Sequence, residues 1–447
     1  MVGSAKVRIM FENQQLYEQL NEIFFSYEHV ESTTWLYLTT LLSIAVFFKF
    51  GRLFSMRNLD IILLSLFSPC FMLVSYGATN GFPEIERLGY VTLWVMGGIF
   101  ILRMFYDCTM VRRPLLEPNM SAGGLSFLVF SLFVLLVSNV SVGYIQNEDE
   151  IRIDPTSLRM PGYRILEDLP PVPVAFWESP FELNQQGGRP GEYPFEMNQA
   201  LSLGIVIAAH FFVVIGLILV GSVHFENVRM GLAAAVFYLL IPYTGEMGGH
   251  VDHVLPGALL VWALLFYRKP FIAGCLLALT FCIYYPLFLI PLWVSFYWQR
   301  GVAKFSLGVV FGWALLVLGL ILTQREEAGD LLTQIKRMHG FLMPQMDREH
   351  LQGLWGFGWA PVYRIPLITS FIMMSITFSM WPAQKNLGSL ISCTAALLLA
   401  TRFWNGEGGG LFLGWSLPLI VLIMFRPNLE DRVMLSREPS VGKGANS

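Results

Sequence analysis

The run FIAGCLLALTFCIYYPLFLIPLWVSFYW, residues 271–298, decides how the rest of the chain is threaded. It is almost wholly apolar but carries Pro286 and Pro291 in its middle. One tilted helix and two short antiparallel helices both fit. Proline removes a helix hydrogen bond and clashes with the preceding turn, so a break is tolerated where protein or water satisfies the freed groups. Charge on the neighbouring loops chooses between the two. If the run is a hairpin, the short basic loops share one side: Lys49, Arg52 and Arg57; Arg112 and Arg113; Arg229; Arg268 and Lys269; Arg300 and Lys304; Lys385; and a tail with Arg426, Arg432, Arg437 and Lys443. With Arg103, that side holds 16 of the 29 basic residues and 7 of the 32 acidic ones. A single crossing would flip the 324–360 loop and the tail and mix the two signs. The positive-inside rule makes the basic side cytoplasmic. The preferred threading has about 13 crossings, with the N-terminus outside and the C-terminus in the cytoplasm; 12 crossings is the alternative.

Composition agrees with a membrane reading. Of 447 residues, 55% are hydrophobic and only 14% charged, and the mean hydropathy is +0.56. An average soluble protein carries roughly 25% charge, so a soluble enzyme is excluded, as is a disordered chain. The five cysteines form no C-x-x-C pair and suit packing rather than a disulfide framework. Net charge is −3, which gives no reason to expect nucleic acid as a partner. The expected fold class is all-α, a polytopic membrane protein of about 12–13 spans with long external loops, in the inner (cytoplasmic) membrane of the cell.

Further apolar runs lie at about 34–50, 59–78, 88–107, 122–144, 199–221, 229–245, 252–267, 305–323, 361–381, 387–403 and 409–425. They divide the chain into an external amphipathic segment at 1–33, a three-span bundle at 34–121, a core at 122–425 and a cytoplasmic tail at 426–447. The core carries external loops at 143–198 and 324–360, long enough to suggest function. The second loop contains a helical pattern over Leu331 to His339. It ends in Leu354-Trp355-Gly356-Phe357-Gly358-Trp359, which suits an interfacial anchor or a contact with lipid or sugar.

Ionisable groups within or beside spans are the candidates for chemistry. Arg103 and Asp107 stand four apart on one helix, the spacing of a local ion pair or a snorkelling arginine. Arg402, at the outer end of its run, suits a phosphate at the membrane surface or a structural pair. The densest cluster is the turn Tyr243-Thr-Gly-Glu246-Met-Gly-Gly-His250-Val-Asp252-His253. Its carboxylates and imidazoles suit polar contact with a substrate, or capping of a helix at Asp252. A His-x-x-His at a helix start places two imidazoles poorly, and no third strong ligand is evident, so no metal is expected. Asp149 and Asp154, just beyond the 122–144 span, are candidate general bases. No nucleotide-binding glycine pattern occurs, and no cofactor is expected.

The stretch from Gly249-His250-Val251-Asp252-His253-Val254-Leu255-Pro256 through Trp262-Ala263-Leu264-Leu265, Arg268-Lys269-Pro270, Ala273-Gly274 and Tyr285-Pro286 to Pro291-Leu292-Trp293 resembles the GT-C superfamily. Specifically it resembles the family-87 polyprenyl-phosphate-dependent mannosyltransferases. The resemblance covers about 45 residues. It differs from the family pattern at His250 and Asp252, where Gln and Asn would stand, and at Ile283, where Lys would stand.

The resemblance implies a many-span enzyme that takes a sugar from a polyprenyl-phosphate carrier and uses an acid in its first large external loop. On that reading Asp149 or Asp154 is the base, Arg402 or His253 steadies the departing phosphate, and Glu246, His250 and Asp252 contact substrate. The expected partners are the bilayer and the lipid-linked sugar donor; oligomeric state is left open. The competing expectation is a non-catalytic membrane protein that binds or carries a lipid-linked sugar or a polyisoprenoid.

Overall fold

The computed structural model describes residues 32–109, 117–146, 195–246, 249–282, 285–298, 300–322, 331–338, 351, 353–405, 412–429 and 432–433. Every element among the described residues is a helix. The first four are α1 (Ser32–Phe47), α2 (Met56–Thr79), α3 (Pro83–Thr109) and α4 (Ala122–Gln146). Next come α5 (Phe195–Val223), α6 (Val228–Leu240), the single turn α7 (Pro242–Glu246) and α8 (Val251–Leu265). The proline-broken run forms α9 (Pro270–Leu279) and α10 (Ile290–Phe296), followed by α11 (Val302–Leu322) and α12 (Leu331–Met338). The last three are α13 (Arg364–Met380), α14 (Leu387–Trp404) and α15 (Leu417–Phe425).

Seven of these helices, α2, α3, α4, α5, α11, α13 and α14, are long and apolar enough to cross a membrane, and five shorter apolar helices pack among them. Leu307, Val310, Phe311 and Leu318 on α11, Ile372, Met373 and Ile376 on α13, and Phe127 and Phe130 on α4 are exposed. Apolar faces of that extent are suited to lipid rather than water. The protein is an all-α, multi-pass membrane protein.

The run at 271–298 doubles back. At its end the Tyr297 hydroxyl donates to the carbonyl of Tyr267, just before its start, at 2.7 Å. A straight 28-residue helix would hold those ends about 40 Å apart. The second leg delivers the chain to α11, which then runs alongside α9 in the same direction. Pro270 meets Gly301 at one end of this contact and Ala278 meets Gly312 at the other. A Cβ at Gly274 would lie 2.2 Å from the Phe305 carbonyl oxygen, so only glycine allows the backbones this close.

Element ends follow local chemistry. Asn386 and Ser389 form a reciprocal capping box at the start of α14. Asn227 caps α6. The apolar run at 229–245 divides at Pro242, because Ile241 before it is held extended. Within the run expected at 409–425, the described residues form a single 3-10 turn at Leu413–Trp415 and then an α-helix from Leu417, with Pro418 accommodated in its first turn.

At the centre is α14, 94% buried over its span. Buried α6 and α15 lie with it, while α4, α11 and α13 form the rim. Arg103 does not snorkel. It forks onto Asp60 with two bonds of 2.8 Å and reaches Asp107 at 3.4 Å. Asp107 in turn accepts from Arg426 at 2.6 Å and from Ser392 at 2.5 Å. Two carboxylates and two guanidinium groups thus neutralise one another in the interior and tie α2, α3, α14 and the segment after α15 together.

The chain beyond α15 folds back over the same basic end. Arg432 pairs with Glu226 and donates to the His224 carbonyl at 3.2 Å, and its own carbonyl accepts from Leu387 N–H at 2.9 Å. Arg229 donates to the carbonyls of Pro118 and Met120.

Candidate functional site

The opposite end of the bundle gathers the polar turn singled out in the sequence. His250 occupies the N-cap of α8 in an extended conformation and its side chain makes no capping bond. Asp252 and His253 fall in the first turn. Because the N-cap residue lies outside the helical spiral, the His250 ring folds onto that of His253, with centroids 5.0 Å apart and planes 30° from parallel. One ligand atom from each of His250, Asp252 and His253 lies within 4.8 Å of the others. Helical spacing alone did not anticipate this convergence.

His253 is buried, and its Nδ1 lies 3.1 Å from the Tyr243 hydroxyl. Tyr243 accepts from Gly414 N–H at 3.0 Å. Phe412 packs on the His253 ring at 4.6 Å, and Trp415 Nε1 donates to the Asp252 carbonyl at 2.7 Å. The turn before α15 therefore forms the floor under the first turn of α8. The fit is close: a Cβ at Gly414 would stand 2.5 Å from the His253 carbonyl oxygen.

Arg402 approaches from the last turn of α14, where a cation is favoured by the helix dipole. It is buried, with its guanidinium carbon 5.6 Å from the centre of the Phe67 ring. One turn further along α2, Phe71 packs on Tyr243 at 5.2 Å. Arg402 and Asp252 both lie within electrostatic range of the Tyr243 hydroxyl. Tyr243 thus lies near both the guanidinium and the imidazole–carboxylate turn.

Of the residues expected from sequence, the structure brings His250, Asp252 and His253 together and sets Arg402 within electrostatic range of Tyr243. Glu246 ends α7, and its side chain is outside the described residues. Asp149 and Asp154 lie outside the described residues altogether. Phe67, Phe412, Gly414 and Trp415 were not anticipated; the lone glycine between Leu413 and Trp415 was the available signal for a close approach.

The tryptophan strip is interior at its start, with Leu354 and Trp355 buried, and exposed at Trp359. Trp355 is buried, packs on Trp94 at 5.7 Å and donates to the Phe403 carbonyl at 3.2 Å, while Trp359 closes on both tryptophans. It covers the end of α14 beside Arg402, where Arg364 donates to the Trp404 carbonyl at 2.8 Å. Packing against α3 and α14 thus takes the place of the expected interfacial anchor for Trp355. Comparison with protein-family models, curated proteins and solved structures finds no match for this chain.

Proposed function

We propose that the protein is a membrane glycosyltransferase of the GT-C kind, moving a sugar from a polyprenyl-phosphate carrier to a cell-envelope acceptor. In this reading the bundle makes about 13 crossings, its basic end faces the cytoplasm across the inner membrane, and the site lies at the outer face. The observation that carries it is the linkage of buried Arg402, through Tyr243, to a turn bearing a carboxylate and two imidazoles. A cation and an acid–base group thereby come from separate helices to one end of the bundle.

In the reaction, an acceptor oxygen bonds to the anomeric carbon as the bond from that carbon to the carrier phosphate breaks. The acceptor proton passes to a carboxylate, and the carrier leaves as polyprenyl phosphate. Negative charge grows on the departing phosphate, and a fixed guanidinium stabilises it more in a dry site than in water. Arg402 has that role. Asp252, or Asp149 or Asp154 from the 143–198 loop, takes the proton. Glu246, His250 and His253 bind the sugar hydroxyls.

The test uses purified full-length protein in nanodiscs, incubated with radiolabelled polyprenyl-phosphate sugars and membrane extract. The expected result is label transfer that falls about 100-fold in Arg402→Gln, and that is lost in one of Asp149→Asn, Asp154→Asn and Asp252→Asn. Each variant is checked for wild-type thermal unfolding. No transfer from any donor overturns the enzyme reading; donor binding without transfer would identify a carrier-binding protein instead.

A further inference from the structure

We infer that His250, Asp252 and His253 form a binding site for one divalent metal ion of the zinc class, with a coordination position left open. It concerns metal binding alone and is tested without sugar transfer; with the ion bound, these three side chains are its ligands, and the proton and hydroxyl roles proposed above fall to Asp149, Asp154 and Glu246.

The donor set is the first argument. Two imidazoles and one carboxylate suit zinc, cobalt or a similar ion, whereas magnesium and calcium require mostly oxygen ligands. Three protein ligands with a free fourth position is the arrangement of reactive zinc sites, while purely structural sites are closed by four. Geometry is the second. Ligand atoms in a tetrahedral site with bonds near 2.1 Å lie about 3.4 Å apart. The present 4.8 Å envelope is closed by side-chain movement of about 1.5 Å. Rotation of the His250 ring at the half-buried N-cap position supplies much of it.

The surroundings are the third argument. A metal-bound histidine needs its other ring nitrogen held, and Tyr243 holds Nδ1 of His253 at 3.1 Å. When Nδ1–H donates to the hydroxyl, Nε2 keeps its lone pair for the ion. Gly414 N–H meets the same hydroxyl and Trp415 fixes the carbonyl of Asp252, so the supporting groups come from a rigid turn. His250 and Asp252 are only half-buried, which leaves the ion a way in. A bound dication with the single Asp252 carboxylate carries net positive charge, so an anionic oxygen is the natural fourth ligand.

The experiment strips the purified full-length protein with a chelator and titrates it with cobalt(II). One equivalent per chain is expected, with the visible absorption of a tetrahedral nitrogen–oxygen site, and zinc displaces it. His250→Ala should weaken binding at least about tenfold while leaving thermal unfolding of the metal-free protein unchanged, and Tyr243→Phe should weaken it about tenfold. His224→Gln, at the other end of the bundle, should leave binding unaltered. Absence of a tetrahedral cobalt spectrum, or binding retained in full by folded His250→Ala, overturns the site.

Discussion

The Tyr297 hydroxyl donates to the Tyr267 carbonyl at 2.7 Å, closing the ends of the proline-broken run onto each other. The chain therefore enters and leaves this segment on the same side, and everything after it keeps the orientation that segregates the charges. Cysteine substitutions at exposed Lys269 and Lys304, in a background with the five native cysteines replaced by serine, test this directly. An impermeant maleimide should label both from the same face of sealed vesicles. Labelling from opposite faces would restore a single crossing.

The parallel seam between α9 and α11 depends on small residues. A Cβ at Gly308 would lie 2.1 Å from the Phe271 carbonyl oxygen, a backbone atom that cannot turn aside. Gly308→Ala should cost about 1–3 kcal/mol, the usual penalty of overpacking. Thermal unfolding in detergent reads this out, with Gly51→Ala, where nothing lies within 4 Å, as the matched control.

The apolar runs were legible because hydrophobic length is a local property, and a break within 271–298 was legible from its prolines, whereas the division at Pro242 was not read from the single run at 229–245. Partners distant in sequence were not legible. Arg426 follows the last apolar run and looks like the first residue of a basic tail, yet its partner Asp107 lies 319 positions away. The turn from His250 to His253 was visible as a polar cluster. Its convergence was hidden, because the extended N-cap geometry of His250 and the hydroxyl of Tyr243 set it. The floor at Gly414 and Trp415 lies 171 and 163 residues from its partners, and the lone glycine signals a close approach without saying to what.

The interior charge network should be the most sensitive point of the fold. Removing one member leaves a buried opposite charge, which typically costs about 3–5 kcal/mol. Arg426→Met should therefore lower thermal stability strongly, since it takes a 2.6 Å bond from Asp107. Ser392→Ala removes a neutral donor to the same carboxylate and should cost less, about 1–3 kcal/mol. Combining Arg426→Met with Asp107→Asn should recover part of the loss, and equal melting of the double and single variants would count against the network.

Stability should also fall with acid at the basic end. Burial holds the His224 imidazole below its ordinary value of 6.5, the bond to the Leu265 carbonyl partly offsets this, and Arg268 and Arg432 add repulsion. Nε2 donates to Leu265 at 2.8 Å while Nδ1 is buried without a hydrogen-bond partner, so the neutral ring is the one that fits. The unfolded chain takes up a proton here that the folded one resists. Stability is thus complete above pH 6.5 and declines as the pH drops through 6.5 toward the lowered folded value. Melting temperatures followed from pH 8 to pH 5 should show this slope, and His224→Gln should flatten it.

Trp415 offers a way to perturb the candidate site without touching its polar side chains. Its Nε1–H donates to the Asp252 carbonyl and its ring stacks on Phe412 at 4.8 Å, which in turn packs on His253. Trp415→Phe keeps an aromatic ring over Phe412 but leaves the half-buried carbonyl with one donor fewer. The expected cost is about 1–3 kcal/mol, read by thermal unfolding. Loosening the first turn of α8 should also weaken cobalt binding, since His253 and Asp252 ride on that turn. If the variant melts lower yet binds cobalt as tightly as the parent, Trp415 supports the fold alone. A matching loss in both measurements would show that the floor positions the ligands.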